Sequence, residues 1–155
     1  MTKEEERPLL DIETTIEDSY VDDTDLKIEI HKKINEIDNY DKLLEIKSEI
    51  EDRFGKISDN LLIYMHEEWF EKLARKLHIT QIRQTANFIE ITLPVELTNN
   101  INGEVLFTEV LSLTRMFRFS KKRDNIIITL DIIKLDKHFI YYLIDLMKII
   151  EKSKK

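Results

Sequence analysis

The hydrophobic period of this chain first changes near Ile79, and that change constrains the fold more than any other feature. Before it, apolar residues recur three and four positions apart, as on one face of an α-helix. Directly after it they alternate, as on one face of a β-strand. Leu26, Ile30, Ile34 and Ile37 outline a first helix capped by Thr24 or Asp25. A second starts at Asn39 or Asp41 and breaks at Gly55. A third, capped by Ser58 or Asp59, carries Leu62, Met65, Trp69, Phe70 and Leu73 to Leu77. Beyond the switch, Ile79 to Arg83 and Phe88 to Leu93 read as one hairpin, ended by Pro94. Met116 to Ser120 and Asn125 to Ile132 read as another, around Lys121-Lys122-Arg123-Asp124. One helix, Asn99 to Leu113, separates the hairpins, and an almost wholly apolar one opening at Asp136 follows them.

The resulting fold class is α+β: an N-terminal three-helix layer followed by two β-hairpins alternating with helices, with a small, largely antiparallel sheet. Residues 1–24 are expected to form an extended arm, in which Leu10, Ile12 and Thr14 alternate with acids and outline a short strand. Residues 25–155 are expected to form a single α+β regulatory domain. A chain of 155 residues suffices for one core, burying roughly 68–70% of the unfolded surface.

The second helix separates its faces by chemistry. At about 100° per residue, Leu43, Ile46, Ile50 and Phe54 share one side, and Asp41, Glu45, Glu49 and Asp52 form a stripe opposite. An i,i+4 pair from Glu49 to Arg53 is the expected internal tie. The surrounding charge reinforces the stripe. Residues 1–59 carry 19 acidic against 9 basic side chains, and the remainder 12 against 15, giving −7 in all. The acidic half repels a phosphate backbone, so a basic protein surface is the better match.

Several chemistries are excluded or unsupported. With only two glycines, Gly55 and Gly103, neither a Walker loop nor a dinucleotide fingerprint can be written. There is no cysteine for disulfides or thiolate metal sites, a usage that fits a reducing cytoplasm. His31, His66, His78 and His138 are far apart, and His66-Glu67-Glu68-Trp69-Phe70 has Phe where a zinc-protease helix needs its second His. No catalytic residue, cofactor or metal is therefore expected. No signal peptide or membrane span is readable. Arg115-Met116-Phe117-Arg118-Phe119, leading into Lys121, Lys122 and Arg123, interleaves cations with aromatics and is the candidate nucleic-acid segment. In a strand, however, Phe117 and Phe119 point away from Arg118, so the rings suit a core and the basic tripeptide an ordinary turn.

The run Leu43-Leu44-Glu45-Ile46-Lys47-Ser48-Glu49-Ile50-Glu51-Asp52-Arg53-Phe54-Gly55 resembles the ELIDRFG-type signature in the C-terminal domain of the bacterial transcription-repair coupling factor, Mfd. Ile16-Glu17-Asp18-Ser19-Tyr20-Val21-Asp22-Asp23, then Leu26-Lys27-Ile28-Glu29-Ile30, is similar to that family's entry segment. Leu61-Leu62 and Ala74-Arg75-Lys76-Leu77-His78-Ile79 are similar to its next helix and exit. Glu17, Asp22 and Ser58 stand where the family usually has proline, and His78 where it has glycine. The resemblance implies a non-catalytic, autoinhibitory domain of an ATP-dependent DNA translocase that displaces stalled RNA polymerase and recruits UvrA. It further implies that Glu49 and Asp52, at the motif's first and fourth positions, pair with arginines of an N-terminal UvrB-like module and so mask the UvrA-binding surface. Glu45 and Arg53 flank that expected partner-binding site. UvrA and RNA polymerase would be touched only indirectly, and no nucleic acid or membrane directly. The alternatives are a nucleic-acid-binding accessory domain acting through Arg115, Arg118 and Lys121 to Arg123, and a free-standing protein-interaction adaptor.

Overall fold

A computed structural model describes residues 8–155. The elements run α1 Thr24–Ile34, α2 Tyr40–Phe54, α3 Asp59–Lys76, β1 Gln81–Gln84, β2 Phe88–Thr92, α4 Val95–Asn99, α5 Gly103–Leu113, β3 Phe117–Lys122, β4 Asn125–Asp131 and α6 Phe139–Lys152. Among the described residues, six helices and a four-stranded antiparallel sheet make an α+β fold. The chain divides into two compact units, Ile12–Lys72 and the described residues before Ile12 together with Leu73–Lys155. None of the described helices is long and apolar enough to cross a membrane.

The helical unit follows the apolar spacing closely. Asp23, one residue before the expected caps, starts α1 by accepting the Leu26 amide at 3.0 Å. The helix stops at Ile34 rather than Ile37. Lys72 Nζ donates to the Ile37 carbonyl at 2.7 Å, satisfying a backbone acceptor past the helix end. Asn39 caps α2 by accepting the Lys42 amide at 2.8 Å, and Leu43, Ile46 and Ile50 are buried. Phe54 is only half-buried; its ring leans on Tyr20, whose hydroxyl donates to the Gly55 carbonyl at 2.6 Å. Gly55 ends the helix at φ +93°, ψ 179°, a conformation reserved for glycine. Ser58 accepts the Leu61 amide at the start of α3. The buried residues of α3 include Met65 and Phe70, and also two acids, Glu67 and Glu71.

In the second unit the strand order is β1-β2-β4-β3. Register puts Ile91, Ile128 and Phe119 in one row and Ile89, Leu130 and Phe117 in the next, all on the face that meets the core. The other face carries Arg83, Glu90, Thr129 and Arg118 in a row. Leu106 and Val110 of α5 and seven buried residues of α6, from Ile140 to Ile150, supply the helical side of the core. His78, where the family resemblance expects glycine, takes φ +61° as the chain leaves α3.

Three sequence expectations are corrected. Leu10, Ile12 and Thr14 form no strand; Leu10, Ile16 and Val21 instead bury single side chains from irregular backbone. The helix expected over Asn99–Leu113 starts only at Gly103, where Asn102 caps it after Ile101 bridges to Lys154, and a separate short helix, α4, precedes it behind Pro94. The last helix opens at His138, whose ring accepts the Ile140 amide at 3.1 Å, and not at Asp136, which accepts the Tyr142 hydroxyl.

Candidate partner-binding site on the second helix

Helices α1 and α2 each carry an acid four residues before a base, Glu29 and Lys33 on one, Glu49 and Arg53 on the other. Joined by a short connection, they run antiparallel, so each acid meets the other helix's base. Lys33 Nζ lies 3.0 Å from Glu49 Oε2, and Arg53 Nη1 lies 2.8 Å from Glu29 Oε1. The expected pair between Glu49 and Arg53 within α2 is therefore not formed; α1 competes successfully for both. The hydrogen bond and charge of Arg53 lower the Glu29 pKa, and those of Glu49 raise that of Lys33.

These side chains border a shallow cleft of about 350 Å³ whose floor includes Ile30 and Ile50, with Asp52 and Phe54 at its rim. Asp52 is exposed and makes no ion pair or side-chain hydrogen bond among the described residues. Arg53 lies over the Phe54 ring at 4.9 Å. The structure thus brings Glu49, Asp52 and Arg53 together. Glu45 stands apart, paired with Lys42 at 3.4 Å beside a second concavity with Tyr40 and Asp41. Chemically the cleft offers ionised carboxylate oxygens over an apolar floor. That combination suits a guanidinium or ammonium group on a long aliphatic stem.

The remaining candidates separate as geometry requires. Phe117 is buried and Phe119 packs on Phe107 at 4.6 Å between ring centres, whereas Arg118 projects from the opposite face. The aromatics therefore provide no base-stacking platform beside the cations. Arg123, at φ +58°, and Asp124 form the two-residue hairpin turn. His31 bonds Tyr64 and His66 bonds the Leu62 carbonyl, each at 2.8 Å. No group of three or more His, Cys, Asp or Glu that could hold a metal occurs among the described residues. Two features escaped sequence reasoning. The matching role of Glu29 and Lys33 was readable from their spacing, but the burial of Glu67 and Glu71 has no signal in a run as polar as His66 to Lys72.

Comparison with known proteins places the chain. The transcription-repair-coupling factor of Staphylococcus aureus (strain USA300) is 30% identical over 121 residues, 78% of this chain and 10% of that protein. The Staphylococcus haemolyticus protein of the same name is 28% identical over 126 residues, again 78% and 10%. The chain thus spans about a tenth of the length of these curated relatives. A crystal structure of the C-terminal domain of a transcription-repair coupling factor superposes with a TM-score of 0.80 at 23% identity, covering 94% of this chain and 91% of that one. The sequence profile of the TRCF domain matches residues 10–103, and the chain belongs to the TRCF domain family.

Proposed function

We propose that this chain is a non-catalytic regulatory domain that docks on a UvrB-like module of a transcription-repair coupling factor and masks that module's UvrA-binding surface. The supporting observation is the pair of exposed carboxylates, Glu49 and Asp52, set together at the rim of the α1–α2 cleft on a member of this family. Asp52 is available to an incoming arginine without rearrangement. Glu49 engages Lys33 through Oε2, so a partner's donor takes the free Oε1 or, where it fits better, displaces the lysine. Arg53 acts as a neighbour that keeps Glu29 occupied. RNA polymerase and UvrA lie downstream of this contact in the cytoplasm, and ATP-driven movement belongs to other parts of the coupling factor.

The energetics suit a latch. Exposed ion pairs contribute about 0–1 kcal/mol each, so a few of them with some apolar contact give a Kd of roughly 10–100 μM between separate domains. At an effective concentration of order 1 mM such a contact stays closed by roughly ten- to a hundredfold and still releases when new contacts compete. The test measures binding of this chain to the isolated UvrB-like module of the Staphylococcus aureus relative, with UvrA as competitor. Glu49→Lys/Asp52→Lys is expected to abolish the complex, and reversing the module's arginines to restore part of it. A double-Lys variant that binds like the unmodified chain overturns the reading.

A further inference from the structure

We infer that the free edge of β3 accepts an extended acidic peptide as a fifth strand, with its apolar residues turned toward α5. The sheet has two edges, and they differ. β1 is only four residues long, and beside it the Gln84 carboxamide brackets the Asp11 backbone, accepting from its amide at 2.8 Å and donating to its carbonyl at 3.2 Å. Short length and a covering segment are two ordinary protections of an edge. β3 is six residues long and, among the described residues, pairs only with β4. The Asp131 amide donates to the Met116 carbonyl, and alternation along an antiparallel pair then turns Arg118, Ser120 and Lys122 toward β4 as well. The amides and carbonyls of Phe119 and Lys121 face outward, with no hydrogen-bond partner among the described residues.

Two independent features state what the added strand must be. On the α5 side, Phe107 is 41% and Leu111 48% exposed, one turn apart, and the Phe107 ring packs at a tilt against Phe119. Side chains of a strand about 4.8 Å beyond β3 would reach this apolar pair. On the other side of the sheet Arg118 and Lys122 project, Lys121 shares the face of Phe119, and Arg115 and Arg123 stand just outside the two ends of the strand. All five are exposed and none makes an ion pair among the described residues, although the chain carries a net charge of −7. Cross-strand pairing therefore favours a segment in which carboxylates alternate with apolar residues. A second antiparallel copy of β3, paired about its middle, would set Arg118 against the other copy's Lys121 or Lys122, and like charges opposite one another oppose that pairing.

The probe is an acetylated, amidated octapeptide alternating glutamate with valine or isoleucine, measured by fluorescence anisotropy and by hydrogen exchange at the Phe119 and Lys121 amides. Binding with protection of both amides is expected, weakened at least about tenfold by Arg118→Glu/Lys122→Glu. Lys121→Pro removes an outward amide at an edge position and is expected to bind far less than Lys121→Ala. An octapeptide N-methylated on the strand-facing amides, tested on the unaltered chain, is expected not to bind, and it decides the matter if Lys121→Pro unfolds. The inference is overturned by no binding at about 1 mM peptide, by equal binding of the N-methylated peptide, by a short DNA duplex displacing the peptide at physiological salt, or by self-association through the Lys121 edge.

Discussion

Replacing Glu67 by glutamine should remove a pH dependence of stability that the native chain carries between pH 7 and pH 9. Glu67 is 4% exposed on α3. Burial first, and then the charges of Glu71 and Glu68, push its pKa from 4.5 up to about 8, against the opposing pull of Lys72. A hydrogen bond to Glu71 lets the two carboxyls hold a proton between them. The folded chain therefore binds a proton at neutral pH that the unfolded chain has released. The stabilisation is fully present below about pH 4.5 and lost as pH rises through about 8. For a folded pKa near 8, the loss from pH 7 to pH 9 is about 1.4 kcal/mol, or roughly 3–6 °C in Tm for a chain of this size. Other shifted groups fall mostly outside this window. His31 and His138 are lowered by burial, so their effect lies below pH 6.5, and the lowered Glu29, Glu51 and Asp136 act at more acid pH still. Urea unfolding followed by the fluorescence of Trp69, the chain's single tryptophan, gives the slope directly. Glu67→Gln keeps the hydrogen-bonding shape and should flatten the slope, raising stability at pH 9 relative to the native chain. A native curve that is flat between pH 7 and 9, or an equal slope in the variant, refutes the shared buried proton.

Ile50→Ala, at 1% exposure, should cost about 2–5 kcal/mol in urea unfolding, whereas Glu49→Ala, which breaks a pair with side chains 31% and 43% exposed, should cost no more than about 1 kcal/mol. Comparable losses would mean that the two faces of α2 are misassigned. Gly55→Ala should cost about 1–3 kcal/mol from backbone strain alone, since a Cβ there meets no atom within 4 Å. Because ψ is 179°, Gly55→Asn should recover nothing over alanine; a thermal melt showing recovery would place Gly55 in the ordinary left-handed region instead.

Local signals in the sequence survived where one face of one element decided the outcome. The limits of α2 were legible because Asn39 and Gly55 carry their own capping chemistry. Both hairpins were legible because Ile89 and Ile91 alternate with polar neighbours, as do Phe117 and Phe119 with Arg118 and Ser120. Readings failed where a neighbour in space outcompeted a neighbour in sequence. Arg53 lies within reach of Glu49 along the helix, yet Glu29 on the adjacent helix takes it. Leu10, Ile12 and Thr14 looked like one strand because a single buried side chain, Leu10, beside a half-buried Ile12 leaves the same trace over a few residues. Asp136 looked like a cap, but its carboxylate serves Tyr142. Within the candidate site, the stripe of Asp41, Glu45, Glu49 and Asp52 was visible as a pattern. Its division into paired and open carboxylates depends on α1 and could not be read from α2 alone.

The crossed pairs between α1 and α2 also set how the acidic surface responds to ionic strength. A cation arriving at Asp52 adds an ion pair, and salt weakens that contact in the usual way. One that takes Glu49 away from Lys33 replaces an existing pair with another, and Lys33 is returned to water as the newcomer leaves it. Screening then acts on both sides of the equilibrium and nearly cancels. Contacts at neighbouring positions on one helix are thereby given different salt slopes: Asp52 governs how tightly a partner is held in dilute buffer, while Glu49 reports whether the partner's donor fits better than a lysine already in place.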